Sequence, residues 1–199
     1  MTILPSSYLP SISYFRAIIN GDSTIDIGEH YIKRSPRNRT RIMTAQGVME
    51  LSIPIKKANR PRSAMHSMEI DYSKRWQHQH WIAILSAYKS SPFFDHYAPY
   101  FEPLYKREYR LLTELNHELI SLIVRLLQLP MPNISTNYIT PSDLDLDLRP
   151  KGAIESQPSV EEYMQVFFDR VPHEQNLSII DLLFCEGPNA RALLMASHR

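Results

Sequence analysis

Apolar and polar positions alternate with two different periods along this chain, and each change of period marks an element. Thr2 to Leu4 reads as a short strand stopped at Pro5. From Tyr8 to Ile19 the spacing is helical: Ile12, Phe15 and Ile19 share one face with Ile18 beside them. Pro10 suits a first turn, where its missing N–H would have no partner anyway. Asn20-Gly21-Asp22 ends the helix with residues that tolerate a left-handed backbone. Thr24 to Ile27 alternates as a strand. Strand, helix and strand in this order predict a βαβ unit, whose helix N-terminus is a usual place for an anion. No glycine-rich phosphate loop accompanies it.

Arg39 to Thr44 and Val48 to Ile55 are extended runs around Ala45-Gln46-Gly47, with Gly47 placed to supply the positive φ of a tight hairpin. Ser67 to Tyr72 alternates Met68, Ile70 and Tyr72 against polar residues. These three runs predict antiparallel strands added to the sheet. A helix over Lys74 to Lys89, capped by Ser73 and broken at Pro92, puts Trp81, Ile84, Leu85 and Tyr88 on one arc, with His80 at its margin. Phe93 to Tyr105 is helical in pattern but interrupted in expectation, since Pro99 and Pro103 lack donors. Leu111, Leu115, Leu119, Leu122 and Leu126 define the strongest amphipathic helix, from Arg107 to Leu129. Ile134 to Ile139 reads as a strand, Pro141 to Pro158 as a polar connection, and Val160 to Val171 as a helix. The last helix, within Asn176 to Pro188, is apolar nearly all round and carries Asp181 in its middle. A carboxylate buried there needs a cation or several donors, or it takes up a proton. The predicted fold is α/β: a Rossmann-like parallel sheet core extended by antiparallel strands, with flanking helices, in one domain over residues 1–199.

Composition changes this picture little. With 199 residues, 43% hydrophobic and 22% charged, the chain has the makeup of a globular protein able to bury a core without staples. The single Cys185 fits a reducing compartment. No basic and then apolar leader opens the sequence, and no apolar run nears the roughly 20 residues of a membrane span. A cytoplasmic location is the expectation.

Charge changes it more. The net charge is +1, yet Lys33 to Arg62 holds nine cations (Lys33, Arg34, Arg37, Arg39, Arg41, Lys56, Lys57, Arg60, Arg62) against Glu50 alone. Such a field favours an anionic small molecule, a nucleotide or a sugar phosphate, unless it is only a solvated surface. Nucleic acid ranks last, because overall charge is near neutral and no recognition motif is present. Within this run Lys33, Arg37 and Arg39 with Asn38 could clamp a phosphate or carboxylate, since guanidinium forks match those groups. They could equally serve structure, neutralising Asp181 or pairing with Glu29. Tyr8, Tyr14 and Tyr31 are candidates to line the same ligand, Tyr8 and Tyr14 by stacking on a base or sugar. His80 is a candidate general base, with Glu29 the alternative, against a role as a hydrogen-bonded histidine at the core margin. His78 and His80 point about 160° apart on a helix, a poor metal pair. Cys185, at the end of an apolar helix, reads as an inert thiol. Elbow, phosphate-loop, zinc and redox motifs are absent, so neither metal nor cofactor is expected.

Several stretches taken in order resemble the WbqC-like protein family. They are Tyr8-Leu9-Pro10 with Tyr14-Phe15, Glu29-x-Tyr31-x-Lys33, and Arg37-Asn38-Arg39. Next come Leu51-Ser52-Ile53-Pro54, Ile70-Asp71-Tyr72, Trp76-x-x-x-His80-Trp81 and Ala87-Tyr88-x-Ser90-Ser91-Pro92-Phe93-Phe94. Gln165-Val166-Phe167 and Asn176 to Phe184 with Gly187-Pro188 close the series. The resemblance implies a bacterial protein of surface-polysaccharide (O-antigen-like glycan) biosynthesis. It further implies a transferase, with aminoacyl (glycine) transfer onto a nucleotide-linked amino sugar as the reaction. The alternative is a non-catalytic nucleotide- or protein-binding module of a polysaccharide-assembly system. On this footing Tyr8, Tyr14, Tyr31, Lys33, Arg37, Asn38, Arg39 and Asp181 are the expected substrate-binding residues, with His80 and Glu29 catalytic. Relatives often carry a His-Gln-Pro stretch before the Tyr-x-Pro segment; this chain has Ile3-Leu4-Pro5-Ser6 instead.

Overall fold

In the computed structural model, which describes residues 1–19, 21–56 and 63–196, the expected βαβ unit forms at once. Strand β1 (Thr2–Pro5) leads through helix α1 (Ile12–Ile19) to β2 (Ser23–Asp26), which runs parallel to β1 with Thr2 opposite Ser23 and Pro5 opposite Asp26. Ile12, Tyr14, Phe15 and Ile18 enter the core. The cap of α1 comes from far along the chain: Asn176 Oδ1 accepts from Ser13 N at 2.9 Å, and the Leu177 carbonyl accepts from Ile12 N at 3.0 Å. Asn176 thus caps the first helix and not its own. Of the predicted stop Asn20-Gly21-Asp22, Asn20 lies outside the described residues, and Gly21 has the expected positive φ, 85°, with its N bonded to the Ile18 carbonyl at 3.0 Å.

Two later strands complete the sheet. β5 (Asn133–Ser135) pairs with β2, and β6 (Leu146–Asp147) pairs with the other side of β1, giving the all-parallel order β5-β2-β1-β6. The expected strand over 134–139 is therefore shorter, because after Ser135 the chain turns and Ile139 N bonds to the side chain of Asp26. The acidic Asp143 to Asp147 stretch, read as connection, supplies the edge strand. Its Asp145 accepts from Ser142 and faces the N-terminal ammonium at 3.3 Å.

The α/β architecture is as expected, with the antiparallel part standing as its own two-stranded sheet. β3 (Arg39–Thr44) and β4 (Gly47–Ser52) pair from Arg39–Ser52 to Thr44–Gly47, and Gly47 has the anticipated positive φ of 102°. The Ser67 to Tyr72 run contributes only single bridges, Ile55 to Ile70 and Glu69 to Leu111. Met68 and Ile70 are nonetheless buried, so the alternation reported faces correctly without a ladder.

Helices α2 (Trp76–Tyr88), α3 (Phe94–Lys106), α4 (Leu112–Leu126), α5 (Ile179–Glu186) and α6 (Asn189–Met195) surround these sheets. Pro99 and Pro103 do not interrupt α3. Both prolines are exposed, and the carbonyls they leave without donors sit on the solvent side, while Phe94, Tyr97, Phe101 and Tyr105 hold the inner face. Residues 160–165 are irregular and 166–170 form turns, in place of the expected helix. Gln165 pins this segment by its side chain, donating to the Glu174 carbonyl at 2.8 Å and accepting from Glu174 N at 3.1 Å.

Candidate functional site

The carboxyl ends of β1, β2 and β6 converge, which is where parallel α/β sheets receive ligands. Strand order reverses there too, since β2 and β5 lie on one side of β1 and β6 on the other. Asp26, the last residue of β2, folds the next turn over itself: its Oδ1 accepts from Gly28 N at 2.8 Å and Glu29 N at 3.1 Å. That turn delivers the Glu29 carboxylate inward, where Arg37 meets it as a fork through Nε at 2.9 Å and through NH2. Arg37 NH2 also donates to the Arg149 carbonyl at 3.0 Å, and Asn116 Nδ2 donates to the Arg37 carbonyl at 2.9 Å.

Arg149 answers with a second set. Its guanidinium grips Asp147 by Nε at 2.9 Å and NH2 at 2.8 Å, and its NH1 donates to Asp26 Oδ2 and to the Ile139 carbonyl. The result is three acid–cation pairs, Glu29–Arg37, Asp26–Arg149 and Asp147–Arg149, linked through the Arg149 main chain. Arg37 is 1% exposed and Glu29 3%. Burial pushes the Glu29 carboxyl up to about 7, against the pull of the Arg37 hydrogen bonds and charge. Asp147, half-buried and held by Arg149, is lowered instead. Gly28 closes the cover over this network. A Cβ there would lie 2.3 Å from Tyr138 N and 2.4 Å from the Asn137 carbonyl carbon, so no other residue fits without moving main chain.

The loop after β1 carries a second buried group. Tyr8 N bonds to the Pro36 carbonyl at 3.0 Å, which fastens this loop to the Glu29–Arg37 segment. Its hydroxyl meets His80 Nδ1 at 2.9 Å and the Tyr105 hydroxyl at 2.8 Å. Burial lowers His80 to about 4, although the Ser52 carbonyl works the other way as an acceptor for the ring. These neighbours fix one proton direction: Tyr105 O–H donates to Tyr8, Tyr8 O–H to Nδ1, and the other ring nitrogen keeps its hydrogen for Ser52. His80 is neutral at neutral pH and serves there as a hydrogen-bond acceptor. Adjacent Leu9 has a φ of 38°, unusual for a branched side chain, and its carbonyl is held by Thr40 Oγ1 at 2.7 Å and Ser178 Oγ at 3.0 Å.

The remaining predicted residues fall into three groups. Tyr14 is buried beside Glu29 and Arg37, and its hydroxyl donates to the Pro5 carbonyl at 2.9 Å. Asn38 is also buried and fastens the start of the hairpin, donating to the Ile53 carbonyl at 2.8 Å. Tyr31 is half-buried, Lys33 is exposed, and Arg39 reaches outward to Glu50 at 2.5 Å. Lys57, Arg60 and Arg62 lie outside the described residues. Asp181 is elsewhere, behind the hairpin, so no cation of the 33–39 stretch neutralises it. Tyr163 O–H donates to its Oδ2 at 2.5 Å, and burial raises its carboxyl. Cys185, nearby, has its thiol raised by burial and by that carboxyl.

Of the predicted residues, Glu29 and Arg37 lie in the charge network and Tyr8 and His80 in the second buried group, while Asp26, Asp147, Arg149, Tyr105 and Asn116, which share those groups, were not predicted. An acid closing a strand pattern was a usable signal for Asp26. Arg149 sat in a segment dismissed as connection, where Asp147-x-Arg149 was the visible clue.

The model of the WbqC-like protein family matches residues 6–151. The chain belongs to that family. The matched stretch takes in the whole charge network and the Tyr8–His80–Tyr105 group, and leaves Asp181 beyond its end. Rv1507c, an uncharacterized protein of Mycobacterium tuberculosis, is 30% identical over 148 residues, which cover 73% of this chain. The chain spans 62% of the length of that relative. No solved structure matches the chain significantly. Among the described residues no helix is long and apolar enough to cross a membrane.

Proposed function

We propose that this WbqC-like protein is a transferase of surface-polysaccharide biosynthesis that acts on a nucleotide-linked amino sugar, with glycyl transfer as the reaction. The observation that carries this reading is the Glu29 carboxyl, raised to about 7 by burial at the carboxyl ends of β1 and β2. A carboxyl in that range can accept a proton near neutrality, as a general base must. In glycyl transfer the amine nitrogen of the sugar bonds to the carbonyl carbon of an activated glycyl donor. The bond to the donor's leaving group breaks, and one proton leaves the nitrogen. Glu29 is the base for that proton, and Arg37 holds Glu29 in place. His80, low in basicity and saturated by its partners, positions Tyr8 in the loop after β1 and is replaced as base by Glu29. Because Glu29 is buried beneath Gly28 and the 136–139 segment, substrate reaches it only when that segment lifts.

A second reading has a specific observation in its favour. Arg37, Tyr8 and Tyr14 spend their polar groups on the protein itself, which suits a non-catalytic nucleotide- or protein-binding module. A thermal-shift screen against nucleotide-linked amino sugars and sugar phosphates tests both readings together. A ligand at 100 times its Kd stabilises by about 2.7 kcal/mol through mass action. A shift with an amino-sugar nucleotide supports the transferase. A shift from plain nucleotide that the amino sugar does not deepen supports a nucleotide-binding module, and no shift with any of them contradicts the transferase and leaves only a protein-binding module.

A further inference from the structure

Away from the charge network, a groove of about 510 Å³ runs between α2 and α3. That volume is in the range of small-molecule sites. Its residues sort along the helix axis. Lys74 and Arg75 stand where α2 begins, and Trp81, Ile82 and Leu85 line the groove further along. At 1.5 Å per residue, Arg75 and Trp81 are about 9 Å apart along the axis. Helix α3 adds its last turn at the cationic end: Gln77 Nε2 donates to the Arg107 carbonyl at 2.6 Å, so Lys106 lies beside Gln77. The groove therefore has a cationic end of Lys74, Arg75 and Lys106 and an aromatic end built on Trp81.

The aromatic lining has its polar tips committed elsewhere. Tyr105 gives its hydroxyl to Tyr8, and Tyr72 exchanges hydrogen bonds with the Tyr109 main chain at 2.8 and 3.1 Å. Trp81 is braced by Tyr105, with ring centroids 5.6 Å apart, and by Phe94. Tyr105 and Phe94 are buried, and half-buried Trp81 and Tyr72 are the rings that offer surface to a visitor. At the other end Lys74 and Arg75 are exposed and form no ion pair among the described residues, while Lys106 holds only the exposed Glu102 at 2.9 Å. An exposed pair of that kind is worth little and is easily exchanged for a phosphate.

We infer that this groove binds a nucleoside diphosphate, the base stacked against Trp81 and the phosphates held by Lys74, Arg75 and Lys106. Base stacking on an aromatic ring tolerates any base, and cations at a fixed distance along the helix select for the charged tail. Glu102, paired with Lys106, and Glu108 also line the groove, so the three cations there face two carboxylates. The choice of a nucleotide rests on the transferase reading above, but the groove is separate from the Glu29–Arg37 network and its occupancy is read without turnover.

Titration of the full chain with UDP and with ADP, followed by tryptophan fluorescence and by calorimetry, tests this. Trp76 is buried, so quenching reports on Trp81. Both diphosphates should bind, and uridine or inorganic pyrophosphate alone should bind at least about tenfold more weakly than UDP. The surface variant Lys74→Glu/Arg75→Glu should weaken UDP by about tenfold or more with an unchanged circular dichroism spectrum. Trp81→Phe should remove the quench. Absence of UDP binding overturns the inference, as does binding indifferent to the charge reversal, or pyrophosphate binding as tight as UDP. UDP binding in a protein that transfers nothing would retain the groove and remove the reaction. Transfer with an unchanged KM in Lys74→Glu/Arg75→Glu would retain the reaction and remove the groove.

Discussion

Replacing Arg37 with alanine separates the buried network from an exposed ion pair two residues along. Arg37 makes four side-chain hydrogen bonds, two to Glu29, one to the Arg149 carbonyl and one to Ser35 Oγ. Its loss leaves the Glu29 carboxylate in a site 3% exposed with no cation in contact. Removing one partner of a buried pair costs about 3–5 kcal/mol, mostly because the other charge stays behind unpaired. For a chain of this size that lowers Tm by roughly 10 °C. Arg39→Ala breaks a pair that is 29% and 49% exposed, and costs about 0–1 kcal/mol.

Urea unfolding followed by circular dichroism measures both variants. Glu29→Leu/Arg37→Met should recover most of the Arg37→Ala loss, because no orphaned charge remains. The deficit should also depend on pH. Without Arg37 only the smaller influence of the Arg149 charge opposes the burial that raises Glu29. The variant's folded state therefore binds a proton more tightly than its unfolded state, and its stability falls as pH rises through and above the wild-type value of about 7. Arg37→Ala should accordingly look worse at about pH 8 than at about pH 5. An Arg37→Ala loss below about 1 kcal/mol, or one equal to that of Arg39→Ala, would refute the description of Glu29–Arg37 as a buried structural pair.

Two other outcomes follow from single residues. His80 has a folded value of about 4 against an ordinary value near 6.5. Between those values the unfolded chain binds the extra proton, so wild type should lose about 3 kcal/mol relative to His80→Gln as pH falls through that window, measured by urea titration at several pH values. Gly28→Ala should cost about 1–3 kcal/mol on the same assay, because its Cβ meets main-chain atoms that cannot rotate aside. A neutral Gly28→Ala would mean that the 136–139 segment does not lie over Gly28.

Much of this architecture was readable because period and punctuation agreed. The βαβ unit, the hairpin at Gly47 and the leucine-spaced α4 each had a clear pattern ended by glycine, proline or a polar cluster. Elements failed to show where tertiary partners, not local pattern, make them. β6 is two residues of acidic sequence that become a strand only because β1 offers an open edge. The 160–171 segment has helical spacing, yet the Gln165 side chain bonds to the Glu174 main chain and fastens the segment in a non-helical path. The Pro99 and Pro103 expectation erred because sequence does not say which face meets water. For the candidate site, a dense run of Arg, Glu and Tyr marked the stretch that holds Glu29 and Arg37, but density of charge carries no information on direction. Arg37 and Asn38 turn inward and Lys33 and Arg39 outward, within seven residues. Arg37 takes Glu29, the partner named as one alternative, and Asp181 is served by Tyr163.

The central claim, that Glu29 is the base of a glycyl transfer onto a nucleotide-linked amino sugar, is tested most directly by mass spectrometry. Purified protein is incubated with nucleotide-linked amino sugars and an activated glycyl donor, and the sugar nucleotide is examined for one added glycyl residue. The wild-type protein should form that product, and Glu29→Gln, kept below its melting temperature, should bind the sugar nucleotide but form none. Product made equally well by Glu29→Gln, or no product from wild type with a sugar nucleotide it demonstrably binds, would contradict the account.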